Sequence, residues 1–343
     1  MRAAIFHGPG NVRIESVSDP EIEQDSDALV RVSASAVCGA DLWAYRGYGG
    51  TLGTRTGHEF VGRVEQLGAE VRSLRVGDQV LAPPGWSDGT CEYCRAGLTC
   101  SCVDGGVWGE PGHDGAHGER VRVPQAEATL LRVPAELNRD AGALLGLTCA
   151  VPTAHHAAVS AGVHWGSSVV VVGDGAVGLL AVQAARRLGA RHVVAVGHHD
   201  DRLELARDFG ADDVVNASAD PAEAVEKVMG ATGGAQCVLE CVGTQSSWAT
   251  AVAVARDGGR IGHVGTPHPI EWVDVTRLFE RNITLAGGLV PARAYLPDLV
   301  RAAVDGAIDA RAVVDLVLPL EEIVDAYASL DARVATKVRL IHE

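Results

Sequence analysis

A chain of 343 residues with 47% hydrophobic residues and 41 glycines is long enough for two globular domains and too apolar for a disordered polymer. Its net charge of −15 argues against nucleic acid or an anionic membrane as partner, since both demand a basic face. Met1 leads at once into the strand-like Ala3-Ala4-Ile5-Phe6 with no basic n-region, and no apolar run approaches the about 20 residues of a membrane span, so the chain reads as cytoplasmic.

The first 150 residues carry short β-like runs, among them 28–35, 59–66 and 79–81, with Gly68, Gly77 and Gly85 between them. That rhythm predicts a barrel-like β domain. From Ser168 the pattern changes. Residues 169–172 form a continuous β-branched run suited to a strand buried on both faces, and 176–188 has helical spacing ending at Gly189. The alternation continues through 192–196, 202–209 before Gly210, 213–215, 237–242, 246–255, 260–264 and 283–286, which predicts a doubly wound α/β sheet. After Gly287-Gly288 come a helical stretch at 296–304, a strand at 313–318 and an amphipathic helix at 321–330; residues 336–341 could return to the β domain as a strand.

Cys38, His58 and Cys149 supply the two sulfurs and one nitrogen of a catalytic zinc site, which needs three protein ligands and one open position. Two thiolates balance the dication, and the metal still polarises a bound oxygen. Glu59, next to His58, could act as a mobile fourth ligand or orient the shell. The plainer alternative is two unrelated core cysteines and a turn histidine. Cys91, Cys94, Cys100 and Cys102 crowd into a short stretch and read as metal ligands, because disulfides are unlikely in the cytoplasm, whereas Cys237 and Cys241 lie in a run read as a buried strand. Gly173-Asp174-Gly175-Ala176-Val177-Gly178 follows a β-branched strand and opens a helix, the context that a dinucleotide fingerprint requires: Gly175 for close approach of a pyrophosphate, Gly178 for helix–strand packing.

Val37-Cys38-Gly39, Gly57-His58-Glu59 and Cys149 four residues before Thr153 together resemble the zinc-containing medium-chain alcohol dehydrogenases, and the likeness runs on to Val334-Ala335-Thr336-Lys337-Val338. The resemblance implies a GroES-like catalytic domain of residues 1–150 completed by 285–343, with a Rossmann domain at 151–284 inserted between. It implies zinc-dependent exchange of hydride between a nicotinamide and a secondary alcohol or ketone, in a homodimer or homotetramer acting on a small molecule. It implies a structural zinc at Asp88, Cys91, Cys94 and Cys102, where aspartate replaces the family's first cysteine and Cys100 is a spare thiol. Thr148 competes with Cys149 for the third catalytic ligand. Thr153 and Val177 are implied against the nicotinamide, Ala176 in the cofactor site, and Lys337 at the cofactor phosphates.

At the end of the second Rossmann strand, where an NAD enzyme carries Asp or Glu, this chain has Gly197, His198 and His199. A strand end with no carboxylate, two imidazoles and Arg202 nearby points to NADP(H) rather than NAD(H), and Asp200 and Asp201 read as caps of the next helix. The family pattern breaks at Ala40, which replaces a proton-passing Ser or Thr, and at Trp43, which replaces a relay histidine in some members. Tyr45, Tyr48 or Glu59 could supply the proton. Alternatively the substrate is a conjugated C=C or C=N bond. A nucleotide-binding protein without turnover is a third reading. Trp43, Trp86 and Trp108 could wall a pocket for a bulky substrate or fill the core.

Overall fold

The computed structural model describes residues 1–137, 141–267 and 270–342, which form two compact units: Met1–Cys149 with Pro291–Glu343, and Ala150–Val290. No helix among these residues is long and apolar enough to cross a membrane.

The first unit is built around the ten-residue strand Ala28–Val37. It pairs antiparallel with Phe60–Leu67, with Arg120–Val123 and with Val338–Ile341, so three distant parts of the chain meet on one strand. Gln79–Leu81 and Leu131–Arg132 extend the sheet on one side and Leu316–Pro319 on the other. Residues 336–341 thus return to the β domain, the strand proper being Val338–Ile341. The interior is filled by Val30, Val32, Phe60, Val80, Val121 and Val123. Trp86 and Trp108 belong to this interior: their ring centroids are 5.0 Å apart, Trp108 meets Phe60 edge-on at 5.5 Å, and its indole Nε1 donates to the Pro83 carbonyl at 2.8 Å. These two tryptophans are core, not pocket walls.

The second unit is a six-stranded parallel sheet in the order Asp213–Asn216, His192–Gly197, Ser168–Val172, Ala235–Glu240, Ala255–His263, Thr284–Gly287. Numbered along the chain this is 3-2-1-4-5-6, the dinucleotide-binding order. Val169, Val170 and Val171 are fully buried, as a central parallel strand requires. The unit runs to Val290 instead of ending at 284, because Thr284–Gly287 pairs with Arg260–His263 and completes the sheet.

Among the described helices of eight residues or more, three escape the sequence pattern. Pro221–Thr232 had a readable signature: Asp220 accepts hydrogen bonds from Ala222 N and Glu223 N, Pro221 opens the first turn, and Gly233 closes it at φ +63°. Ala141–Thr148 is almost apolar and Ala150–Ser160 mixes Thr153, His155 and His156 into an apolar run, so neither shows a clear amphipathic period. Cys149 sits between them.

At the turn from Ser168–Val172 into the helix Ala176–Arg187, a Cβ on Gly178 would lie 2.0 Å from the Gly173 carbonyl oxygen, whereas one on Gly175 would meet nothing within 4 Å. Gly178→Ala should therefore destabilise the protein by about 1–3 kcal/mol in urea denaturation. Gly175→Ala should stay within about 0.5 kcal/mol of the parent.

Candidate metal centre and dinucleotide loop

The register of the first unit's sheet brings the metal-binding residues together. Val37 is opposite Val338 and Ser35 opposite Phe60, so Cys38, His58-Glu59 and Lys337 all emerge at the same end of three neighbouring strands. The backbone must turn sharply to deliver His58. Gly57 has φ +96°, and a side chain there would strike the His117 ring at 2.5 Å. One ligand atom from each of Cys38, His58, Glu59 and Cys149 falls in a group whose members are all within 4.8 Å of one another. Thr148 does not compete, because its hydroxyl donates to the Leu145 carbonyl at 2.6 Å.

Asp41 ties two of these residues in place. Its Oδ1 lies 3.1 Å from His58 Nδ1, which leaves Nε2 to face a metal, and its Oδ2 accepts from Cys38 N at 2.8 Å. Burial opposes ionisation, but His58 and His117 together hold the Asp41 carboxyl far below its usual range. His117, fully buried, continues the network through Ser35 Oγ at 2.9 Å to His342 Nε2, again at 2.9 Å. Nothing in the local sequence marked His117, Ser35 or His342 as neighbours of the centre, because sheet pairing alone joins them.

The thiols are unequal. A hydrogen bond from Cys149, outweighing burial with help from His58, holds Cys38 well below the ordinary thiol range; that same bond and burial push Cys149 up. A divalent cation would bind both as thiolates, displacing any thiol proton. Burial pushes Glu59 up to about 8 against the pull of Lys337.

Lys337, expected at the cofactor phosphates, pairs with Glu59. Its ammonium is 2.7 Å from both carboxylate oxygens of Glu59, and the two residues are 2% and 0% exposed. The strand pairing that sets Val338 against Val37 commits it to the metal centre.

A second group of four, Asp88, Cys91, Cys94 and Cys102, also lies within 4.8 Å. Cys100 is outside it, exposed, with its sulfur 3.9 Å from Ser101 Oγ. Backbone N–H groups of Cys91, at 3.0 Å, and Thr90, at 2.7 Å, point at Asp88 Oδ1 and hold its carboxyl well below the usual range. The Asp88 and Cys94 N–H groups point at the sulfurs of Cys102 and Cys91. Four anionic donors converging with their second shell already in place fit a closed tetrahedral zinc.

In the second unit, Gly173 and Gly175 lie in the turn after the first strand and Ala176, Val177 and Gly178 open the helix, and Gly175 leaves open space over its Cα where a phosphate would approach. Thr153 is on the helix Ala150–Ser160. The end of the second strand differs from expectation. Gly197 has no side chain, but the space is filled by Asp174, whose Cβ, Oδ2 and Cγ lie 2.6, 2.7 and 2.8 Å from where a Cβ at 197 would stand. Oδ2 accepts from His198 N (2.7 Å) and His199 N (2.9 Å) and lies 2.9 Å from His199 Nδ1. This strand end is therefore not free of carboxylate, although the strand itself supplies none. His198 is exposed, Arg202 is buried, and the cap of the next helix is His199; Asp200 and Asp201 are in its first turn, with Asp200 accepting from Asn216 Nδ2 at 2.6 Å.

Residues 24–135 match the alcohol dehydrogenase GroES-like domain, and residues 176–305 match the zinc-binding dehydrogenase domain. A Mycobacterium tuberculosis protein named "Probable zinc-binding alcohol dehydrogenase" is 33% identical over 345 residues, covering 99% of this chain and 88% of its own. Alcohol dehydrogenase TADH from a Thermus species superposes with a TM-score of 0.91 at 32% identity, over the whole of both chains. A Sinorhizobium meliloti protein solved bound to NADP gives a TM-score of 0.86 at 28% identity, over 99% of this chain and 98% of its own.

Two measurements test these sites. Metal analysis of the purified protein should find two zinc ions per chain, falling to one in Cys94→Ser; two ions retained in that variant would reject the second group as a zinc site. Lys337→Met leaves the buried Glu59 carboxyl to take up a proton and lose its partner, and should cost about 1–3 kcal/mol in denaturant unfolding.

Proposed function

Because the chain belongs to the zinc-containing alcohol dehydrogenases of the medium-chain dehydrogenase/reductase family, we propose that it interconverts a secondary alcohol and a ketone with a nicotinamide dinucleotide. The observation that carries this reading is the convergence of Cys38, His58, Glu59 and Cys149. Zinc held there supplies a Lewis acid that polarises the substrate oxygen, and the nicotinamide supplies or accepts hydride.

The protein's own residues set up that chemistry. Asp41 fixes the His58 ring and the Cys38 backbone, so the ligand atoms are in place before substrate arrives. The Lys337 ammonium offsets the charge of Glu59 and keeps that carboxylate at the edge of the centre. Gly175 opens the loop to a pyrophosphate, and Gly178 lets the helix start close enough for its N–H groups to meet it.

A second reading has its own support. Ala40, exposed two residues beyond Cys38, offers a methyl group where a hydroxyl would pass the substrate proton. With Trp43 on the short helix Leu42–Tyr45, neither position can relay a proton, which suits a conjugated C=C or C=N substrate protonated from solvent. Self-association into a homodimer or homotetramer is part of the proposal. Thr284–Gly287 closes the sheet with one unpaired edge among the described residues, near the exposed Val275, Phe279 and Leu289.

His58→Ala should lower turnover about a thousandfold, the several kcal/mol a Lewis acid contributes, while coenzyme binding persists. Unchanged turnover would reject zinc chemistry, and a wild-type protein that binds coenzyme but turns over no alcohol, ketone or enone would point to a non-catalytic binder. Deuteride from the labelled reduced coenzyme should appear on the carbinol carbon; deuterium at the β-carbon of an enone would select the second reading. Sedimentation should show a species larger than the 35.7 kDa chain.

A further inference from the structure

The Asp174 carboxylate occupies the volume that a strand-end side chain at position 197 would otherwise fill. In a doubly wound fold that strand end faces the adenosine ribose of a bound dinucleotide. We infer that Asp174, contributed by the glycine loop instead of the second strand, is the coenzyme-selecting carboxylate of this protein, accepting from the ribose hydroxyls of NAD(H) and rejecting the 2′-phosphate of NADP(H). The inference rests on the dinucleotide reading proposed above and names which dinucleotide it is.

Three features support it. First, the exchange is sterically reciprocal. No residue larger than glycine fits at 197 while Asp174 keeps its place, so the glycine and the aspartate form one device. Second, the carboxylate is fixed and ionised. Burial pushes its pKa up, but the His198 and His199 N–H groups and the His199 ring more than compensate, leaving it below the ordinary value. Third, all three bonds go to Oδ2, and Oδ1 accepts none among the described residues, which leaves an acceptor for a ribose hydroxyl.

The same geometry limits what the two histidines can offer a phosphate. His199 Nδ1 is committed to Asp174, so only Nε2 could turn outward, and the ring brings its carboxylate partner along. His198 is exposed and its side chain makes no ion pair among the described residues. A phosphate dianion would have to approach a fixed negative charge. A diol, with two O–H donors, meets an acceptor.

The test titrates NADH and NADPH separately into the zinc-loaded protein, following the fluorescence of the bound reduced coenzyme, so no substrate is needed. The wild type should bind NADH at least tenfold more tightly than NADPH. Asp174→Asn keeps size and one acceptor but removes the charge, and should tighten NADPH at least tenfold while NADH weakens only a few-fold. Asp174→Ser serves the same purpose if the asparagine variant is poorly folded, and zinc content and circular dichroism report that separately. A wild type that prefers NADPH, or a folded variant with an unchanged NADH-to-NADPH ratio, overturns the inference and leaves the dinucleotide reading standing. Failure of the wild type to bind either coenzyme overturns both.

Discussion

The first unit depends on neutralising several charges where water cannot reach them. Cys38, Asp41, His58, Glu59, Cys149 and Lys337 lie at one end of three strands, and Glu59 and Lys337 are almost wholly buried. Each unpaired ion there would cost several kcal/mol. The arrangement answers this pair by pair, with Lys337 against Glu59 and His58 against Asp41. The strand Ala28–Val37 makes this possible because it pairs with segments from residue 60 onward and from residue 338 onward simultaneously. The C-terminal strand therefore does more than close the sheet. It carries the cation that lets a carboxylate remain beside the metal ligands.

The second unit applies a similar economy of space. Gly173 and Gly178 allow the first strand to turn directly into its helix, and Gly197 yields its side-chain volume to Asp174. A carboxylate is thereby placed against the second strand without belonging to it. Both units hold an ionised acid through several donors aimed at it: Asp174 through two backbone N–H groups and an imidazole, Asp88 through two backbone N–H groups. Carboxylates so held are preorganised for a ligand, because the donors fix both their charge and their direction.

Residues close in the chain were the most legible. The fingerprint 173–178 could be read because its strand, turn and helix are consecutive, and Asp88, Cys91, Cys94 and Cys102 because one loop holds them all. Cys38, His58 and Cys149 are far apart and were grouped through resemblance to a family; the sheet register explains how they meet. The contact of Lys337 with Glu59, 278 residues away, is invisible to spacing, since only the pairing of Val338 with Val37 joins them. Trp86 and Trp108 could have been core or pocket by composition, and packing against Phe60 decided for core.

Local chemistry and short-range spacing determined the element types, the two-part organisation and the cluster at Asp88, Cys91, Cys94 and Cys102, because those properties depend on side-chain identity and on neighbours a few positions away. Tertiary structure alone decided which charge faces which. It set Lys337 on Glu59, His117 beside Asp41, and Asp174 in the volume left by Gly197. Electrostatic partnership depends on distances of about 3 Å between atoms whose separation along the chain carries no information, and only the pairing of strands fixes those distances.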